Sequence, residues 1–367
     1  MTTPKTKLWD IEPHTKAKHL ILEKYLNAWF PILGNTNKRV IYIDGFAGPG
    51  IYTNGEPGSP VIALRAALSS LHSANTEIFF IFVEADELRA ENLRNVIDEI
   101  LKKSKPKNFN VKVIHGEFES ELSGVLTQFE AENHAPAPTF ALLDPFGFSG
   151  LPFDAVRKLL QYPRCEVMIT FMADAINRFL LRAGQEKNIS SFFGSDAVFK
   201  LADSPENRNV KLRELYQHNL TQAAKFVRFF EMSDSDHRPI YDLFFATKHP
   251  KGYVKMKEAM WKVDNLGGFR FSDATNPLQE VLFQKLEEVD YAKIFELIKS
   301  NFSKRKEKVE KLRIFVENET PYLEKHLRAS LQYAESQSLI TVDETKSDGK
   351  KRHGKTFPDD VIVKFRQ

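Results

Sequence analysis

Two stretches of the chain decide its fold, 40-VIYIDGFAGPG-50 and, about a hundred residues later, 140-FALLDPFGF-148. Each begins as an apolar run of strand length and ends on an aspartate followed by turn-forming residues. In an open α/β sheet, ligands bind outside the carboxyl ends of the strands. We therefore expect one acidic turn to hold a cofactor and the other to serve chemistry, as in a group transferase that uses a nucleotide cofactor.

Strand-like and helix-like segments alternate over the first two thirds of the chain. Strands are predicted over 40–43, 78–83, 111–114, 139–143, 166–171, 225–231 and 241–247, with helices over 14–33, 60–70, 87–103, 118–132, 152–160 and 209–224. The connection 232–240 is too short for a crossover helix, so the last two strands should form an antiparallel hairpin. This pattern predicts an α/β fold with a Rossmann-like sheet of the class I methyltransferase type, mostly parallel with an antiparallel last strand.

The pattern changes after this region. We assign residues 1–264 to a methyltransferase-like Rossmann domain, 265–284 to a linker without periodicity, and 285–367 to a second domain. There, helices are predicted over 291–302, 306–318 and 322–336, followed by strands over 339–343 and 361–365 with a basic tip between them. Three helices and a hairpin predict a winged helix-turn-helix domain.

The composition is that of an ordinary globular protein, with 42% hydrophobic and 28% charged residues. Its apolar runs are far shorter than the roughly 20 residues of a membrane helix, so we expect no membrane association and a cytoplasmic location. The net charge of +3 is too small to indicate nucleic acid by itself. The single cysteine, Cys165, excludes an internal disulfide or a cysteine-ligated cluster within this chain and should be a buried thiol.

The first loop has the residues of a cofactor turn. Gly45, Gly48 and Gly50 allow a tight turn and a close approach of the backbone to a ligand, and Phe46 lies between them. In a methyltransferase this turn holds the amino-acid end of S-adenosylmethionine, with an acid near the ammonium, a role that Asp44 would fill. An ordinary strand-to-helix connection also favours glycine and is the alternative.

Acidic residues also follow the next two predicted strands. Glu84 closes the second strand, where its two oxygens are placed to hold ribose hydroxyls, and Asp86 is its near competitor or the N-cap of the next helix. Glu117 follows the third strand, where the adenine amino group would lie. A solvated loop glutamate is the alternative for Glu117.

The second loop carries the predicted chemistry. Asp144 and the carbonyl of Pro145 are acceptors that can orient an exocyclic amine of a base, and Phe146 or Phe148 can stack on that base. No strong base is needed, because the amine loses its proton during or after attack on the methyl group. The alternative is a turn whose aspartate caps the next helix.

Other candidates are less specific. His14, Lys16 and His19 do not share a helix face as metal ligands would; we expect a polar face or a lid over the cofactor and predict no metal site. For nucleic-acid contacts the candidates are a loop after the last strand and the basic tip of the second domain, namely Lys248, His249, Lys350, Lys351 and Arg352.

These segments together resemble the three-Cys-motif partner protein (TcmP) family. The resemblance rests on Trp9, on a helix pattern of His14-Thr15, Lys18-His19, Ile21-Leu22, Tyr25-Leu26, Ala28-Trp29 and Pro31-Ile32-Leu33, and on residues 42–50, 58–60, 143–147 and 245–250. The family name implies a partner with a three-cysteine motif, which suggests a radical-S-adenosylmethionine-like protein. The first loop is also similar to rRNA adenine-N6 methyltransferases of the RlmJ type, and residues 144–147 with 152–154 to tRNA N2,N2-dimethylguanosine methyltransferases.

The chain departs from the adenine pattern at Phe146, where a second proline is usual. The sequence therefore favours a methyltransferase that uses S-adenosylmethionine and acts on an exocyclic base amine of RNA or DNA. The alternative is a non-catalytic subunit that binds nucleic acid or positions a partner on a methyltransferase scaffold.

Overall fold

The computed structural model describes residues 6–70, 76–104, 106–122, 124, 137–202, 206–264, 270–272, 289–302, 306–345 and 347–366. The chain divides into two compact units. The first comprises Met1–Ala259 with Arg270–Gln279, and the second comprises Met260–Phe269 with Glu280–Gln367.

The first unit is built on an eight-stranded sheet in the order β3-β2-β1-β4-β5-β7-β6-β8. The five strands β1 to β5 are parallel, whereas β7 runs antiparallel to both β5 and β6. The predicted mixed α/β fold with a mostly parallel, Rossmann-like sheet and a terminal antiparallel hairpin is thus confirmed. The strands are β1 Arg39–Asp44, β2 Glu77–Glu84, β3 Phe109–His115, β4 Thr139–Leu143, β5 Cys165–Phe171, β6 Phe226–Ser233, β7 Pro239–Thr247 and β8 Arg270–Ser272.

Helices connect these strands. They are α1 Pro13–Gly34, α2 Ser59–Ser70, α3 Glu87–Ser104, α4 Phe153–Gln161, α5 Ala173–Phe179, α6 Glu186–Phe193, the 3-10 helix Asp196–Leu201, α7 Arg208–Thr221 and α8 Pro250–Trp261. Residues 118–122 are helical, and most of the predicted helix over 118–132 lies outside the described residues. The central strands β1, β4 and β5 are buried almost throughout, because apolar side chains cover both sheet faces. Cys165 is buried as predicted.

The register of the strands places the acidic loops at one edge of the sheet. Asp44 is opposite Phe82 of β2 and Leu142 of β4, so Glu84 and Asp144 each lie two residues further on. Since all three strands are parallel, their carboxyl ends meet at this edge, called the carboxyl edge below.

A buried carboxylate at the opposite edge ties α1 to the sheet. Glu166, at the start of β5, accepts hydrogen bonds from the hydroxyl of Tyr25 (2.5 Å), the indole N–H of Trp29 (2.9 Å) and the hydroxyl of Thr247 (2.8 Å). Burial raises the pKa of Glu166 despite these three donors. Tyr25, Trp29 and Thr247 belong to the segments on which the family resemblance rests, and this network gives each of them a structural role.

Gly252 of α8 is packed against this carboxylate. A Cβ on Gly252 would collide with Oε1 of Glu166 and lie 3.1 Å from its Cδ. We expect Gly252→Ala to lower the free energy of unfolding by about 1–3 kcal/mol, because neither the buried carboxylate nor its donors have room to move. Chemical denaturation measures this, and Lys251→Ala, on the exposed side of the same helix, should change it by less than about 0.5 kcal/mol. Equal stability of the two variants would contradict the packing argument.

The predicted linker over 265–284 contains an element that the sequence pattern does not indicate. Arg270–Ser272 forms β8, which pairs in parallel with Glu231–Ser233 of β6. A three-residue strand is too short to show periodicity, which is why the sequence pattern does not reveal it. Residues 265–269 and 273–288 lie outside the described residues.

The second unit combines three helices with a small antiparallel sheet. The helices are α9 Tyr291–Phe302, α10 Val309–Glu319 and α11 Glu324–Ser336, and the strands are β9 Lys306–Lys308, β10 Ile340–Val342 and β11 Ile362–Phe365, in the order β10-β11-β9. One core unites both layers, from Ile294 of α9 to Val363 of β11. The element order is helix, strand, helix, helix, strand, strand.

Candidate functional site

The glycine loop after β1 is held against its two neighbouring strands by backbone hydrogen bonds. The N–H of Gly45 donates to the carbonyl of Leu142 in β4, and the N–H of Ala47 donates to that of Val83 in β2, both at 2.9 Å. Gly48 has φ +66°, a conformation that favours glycine. The loop is therefore a preformed turn whose remaining polar groups face the carboxyl edge.

Asp44 lies fully buried at the base of this loop. Its Oδ1 accepts from the N–H of Phe46 at 3.4 Å, whereas its Oδ2 makes no hydrogen bond within 3.5 Å among the described residues, although the hydroxyls of Ser59 and Tyr42 lie close enough to influence the carboxyl group. Burial raises the pKa of Asp44 to about 7, although the hydroxyl of Ser59 and the N–H of Phe46 oppose this shift. A buried, unpaired carboxylate oxygen is costly, and a bound cation would offset that cost.

Glu84 connects the second strand to the glycine loop. Its Oε2 accepts from the N–H of Gly48 at 2.8 Å, and its Oε1 accepts from the N–H of Asp86 at 3.0 Å. Each carboxylate oxygen has a further lone pair, so both can also accept from a hydroxyl. Asp86 caps α3, because its Oδ1 accepts from the N–H of Arg89 at 2.9 Å. Glu117 is exposed beyond β3, at the same edge.

Asp144, after β4, lies in a different electrostatic environment from Asp44. Its Oδ2 pairs with the ammonium of Lys18 from α1, and its Oδ1 accepts from the hydroxyl of Thr170 in β5. Burial alone would raise the pKa of Asp144, but the Lys18 ammonium and the two hydrogen bonds lower it below the ordinary value. The side chain is still 26% exposed.

The two carboxyl groups therefore differ in protonation behaviour. Near neutral pH Asp144 is an ionised acceptor, whereas Asp44, with a pKa of about 7, is divided between its two states. Neighbouring acids whose pKa values are pushed apart are typical of sites that assign a separate role to each. Here Asp44 suits binding of a cation, and Asp144 suits orientation of N–H donors.

The aromatic residues of the second loop have different environments. Phe146 is 39% exposed at the carboxyl edge, whereas Phe148 is 6% exposed and packs against Phe179 and Phe192 in the core. Pro145, which precedes them, is buried. Phe148 is therefore a core residue in this structure and cannot stack on a base without leaving it; Phe146 alone keeps an open face. In the first loop, Phe46 packs on Phe118 at 5.6 Å.

Helix α1 supplies site residues that the sequence pattern did not single out by role. Lys18 and His19 are both more than nine-tenths buried. Burial, with the Lys18 charge, lowers the pKa of His19 to about 3, so its imidazole is neutral. The sequence does contain a signal for the role of Lys18, namely its spacing. Lys18 lies four residues after His14 and three before Ile21, on the buried face of α1, where a lysine needs an acidic partner.

Lys248 and His249, which were predicted to contact nucleic acid, lie away from the two acidic loops in this fold. Because β7 runs antiparallel to β5, its end at Thr247 pairs with Glu166 at the start of β5. Both residues thus lie at the amino ends of the parallel strands, opposite Asp44 and Asp144. Lys248 donates to the carbonyl of Gln161 at 3.1 Å.

The basic tip of the second unit has two exposed lysines and one engaged arginine. Lys350 and Lys351 are exposed, Lys350 within 3.7 Å of Asp348. Arg352 pairs with Glu335 of α11 and also donates to the carbonyl of Thr356 at 3.2 Å. Its side chain is only 11% exposed, so the predicted phosphate contact of Arg352 is not available in this conformation.

The described part of the chain holds no group of three or more His, Cys, Asp or Glu residues arranged to bind a metal ion. Among its helices, none combines the length and the apolar character needed to cross a membrane.

Comparison with known proteins finds similarity at the level of structure only. No protein-family model matches the chain, and no curated protein does. Spermidine synthase from Thermotoga maritima is 11% identical over 62% of this chain and 60% of its own, with a TM-score of 0.33. The bifunctional kinase-methyltransferase WbdD is 14% identical over 64% of this chain and 39% of its own, with a TM-score of 0.32. The overlap covers less than two thirds of either protein and carries no information on substrate.

Proposed function

We propose that the first unit is a methyltransferase that uses S-adenosylmethionine and acts on an exocyclic base amine of RNA or DNA. Five parallel strands closed by an antiparallel hairpin, in the order 3-2-1-4-5-7-6, support a fold of the class I methyltransferase type. Function needs a site as well as a fold, and the site is the stronger support.

The observation that carries the proposal is the pair of unlike carboxylates at the carboxyl edge. Asp44 has a buried, unpaired Oδ2 beneath the glycine loop, and Asp144 is held ionised by Lys18. Both sit on adjacent parallel strands, β1 and β4. Since the two strands are neighbours, a cation-binding group and an amine-orienting group on them can serve two ligands bound side by side.

The residues at this edge fit the proposed cofactor. Asp44 Oδ2 would pair with the ammonium of its amino-acid end, Glu84 would accept from the ribose hydroxyls, and Glu117 would lie towards the adenine. When bound, S-adenosylmethionine supplies an electrophilic methyl group. Asp144 and the Pro145 carbonyl then orient the amine N–H groups, and the Phe146 face supports the base.

Isothermal calorimetry with S-adenosylmethionine and S-adenosylhomocysteine tests the cofactor site, followed by transfer of a tritiated methyl group to RNA and DNA. We expect micromolar binding and label that appears in methylated base amines after nuclease digestion. Folded protein that binds neither compound would refute the proposal.

A variant at Lys18 tests how Asp144 is kept ionised. In Lys18→Met, burial is no longer opposed by the ammonium, so the pKa of Asp144 should rise. Because the ionised form accepts from the amine, the acid limb of the kcat profile should move upward by about one pH unit or more when S-adenosylmethionine is saturating, so that protonation of Asp44 does not limit cofactor binding. Lys16→Met, on the same helix but half exposed, is the control and should leave the profile unchanged. An unshifted limb in Lys18→Met would contradict this role.

One observation favours the non-catalytic alternative. Both oxygens of Asp144 already accept hydrogen bonds, from Lys18 and Thr170, which a purely structural residue would also do. In that case the chain would serve as a scaffold that binds nucleic acid or positions a partner enzyme. Cofactor binding without methyl transfer to any nucleic acid, together with stoichiometric co-purification of a partner, would support it.

We also propose that residues 285–367 form a winged helix that contacts RNA or DNA through Lys350 and Lys351. The order of helices and strands in the second unit supports this. A three-Cys-motif, radical-S-adenosylmethionine-like protein is the proposed protein partner, and affinity purification of the tagged full-length chain tests it.

A further inference from the structure

Trp9 is an aromatic residue at the carboxyl edge. It lies in the non-helical segment ahead of α1 and contacts both functional loops. Its indole centroid is 6.2 Å from that of Phe146, and its Cη2 is 3.9 Å from where a Cβ on Gly48 would lie. It also packs edge-on against Tyr52 at 5.8 Å. Trp9 therefore spans the gap between the glycine loop and the second acidic loop.

Both the backbone and the side chain of Trp9 are held in place. The carbonyl of Trp9 accepts from the N–H of Thr53 at 3.0 Å, and the guanidinium of Arg89 lies 5.1 Å from the indole centroid. Trp9 is half-buried, whereas Trp29 and Trp261 are each 4% exposed.

Trp9 and Phe146 together form a corner. Their ring planes are inclined by 71°, and Phe146 is 39% exposed. A flat base that stacks on Phe146 would meet the Trp9 indole at its side, which fixes both its plane and its lateral position. Phe146 follows Asp144 by two residues in the same loop, so such a base would be held near the ionised carboxylate.

We propose that Trp9 and Phe146 form an aromatic corner that receives the acceptor base, with Trp9 as the positioning residue. This inference rests on the proposed function and deepens it, since it assigns the residue that fixes the position of the acceptor base. Base–aromatic stacking is largely indifferent to base identity, so the corner would set orientation, and Asp144 would select the amine.

Binding of a fluorescein-labelled single-stranded RNA 12-mer containing all four bases, and of the DNA of the same sequence, tests the corner. Anisotropy is measured with and without S-adenosylhomocysteine, on the full-length wild type, Trp9→Leu and Trp9→Phe. Calorimetry with S-adenosylhomocysteine and thermal unfolding are run on the same three proteins. Trp9→Phe keeps an aromatic face and is the matched control for Trp9→Leu.

We expect Trp9→Leu to weaken oligonucleotide binding about ten-fold or more, the range for loss of one base–aromatic stack. Trp9→Phe should stay within about three-fold of the wild type, and both variants should keep their affinity for S-adenosylhomocysteine. In turnover, Trp9→Leu should raise KM for the nucleic acid more than it lowers kcat.

Three results would overturn the inference. One is wild-type oligonucleotide affinity in Trp9→Leu; another is an equal loss of S-adenosylhomocysteine affinity, which would make Trp9 a wall of the cofactor site. The third is wild-type protein that binds S-adenosylhomocysteine but neither oligonucleotide. If the wild type does not bind S-adenosylhomocysteine, the proposed function is refuted. The two failures can be distinguished, because the oligonucleotide titration without S-adenosylhomocysteine still tests the corner.

Discussion

Asp144→Asn is expected to reduce methyl transfer by about 10²–10³-fold while leaving S-adenosylhomocysteine affinity within about three-fold. The amide keeps the shape of the side chain but loses the charge and one acceptor oxygen, so the amine is no longer drawn towards the acceptor. The proposed cofactor contacts, Asp44 and Glu84, lie instead at the ends of β1 and β2. Single-turnover transfer of a tritiated methyl group and calorimetry on the same preparation measure the two effects.

The variant also leaves the Lys18 ammonium buried without its partner, which destabilises a protein by several kcal/mol in comparable cases. The double variant Lys18→Met/Asp144→Asn removes that charge and should recover stability but not transfer. Asp154→Asn, an exposed aspartate of α4 whose side chain is 66% accessible, is the matched control and should keep full activity. Retention of more than a tenth of wild-type transfer by Asp144→Asn would exclude the carboxylate from the chemistry.

Much of the first unit was predictable because its core strands are continuous apolar runs. The predicted strand over 139–143 matches β4 residue for residue, and the short 232–240 connection led directly to the antiparallel hairpin. The acidic turns followed from the same pattern, since each aspartate or glutamate that ends a strand must lie at the sheet edge.

The residues that the sequence misplaced depend on contacts between distant segments. Lys18 reaches Asp144 across 126 residues, and no local pattern encodes that ion pair. Lys248 follows a strand like Asp144 does, but reversal of that one strand moves it to the opposite edge. Arg352 was assigned to a phosphate contact from its place in a basic run. In the fold its guanidinium pairs instead with Glu335 of α11, a contact between segments that no local pattern shows.

The second large effect is expected at Asp44. Asp44→Asn should weaken S-adenosylhomocysteine binding by about 100-fold or more, because the ammonium of the ligand then loses a buried charge partner. In the wild type, the pKa of Asp44 is about 7, so the carboxyl is mostly neutral at pH 6 and must release a proton to pair with the ammonium. The observed affinity should therefore fall by up to ten-fold per pH unit below 7.

The affinity should also fall above the pKa of the ligand's own α-amino group, where the ammonium is lost; that pKa lies above the peptide value because the neighbouring group is a carboxylate and not an amide. The two titrations predict a maximum between them, above pH 7. Calorimetry at pH 6 in buffers of different ionisation enthalpy should report release of about one proton per ligand bound, because Asp44 alone changes state there. 5′-Methylthioadenosine lacks the amino-acid end and is the matched ligand: its binding should be independent of pH from 6 to 8 and equal in wild type and Asp44→Asn. A pH slope shared by both ligands would place the titrating group elsewhere in the pocket and leave Asp44 without its assigned role.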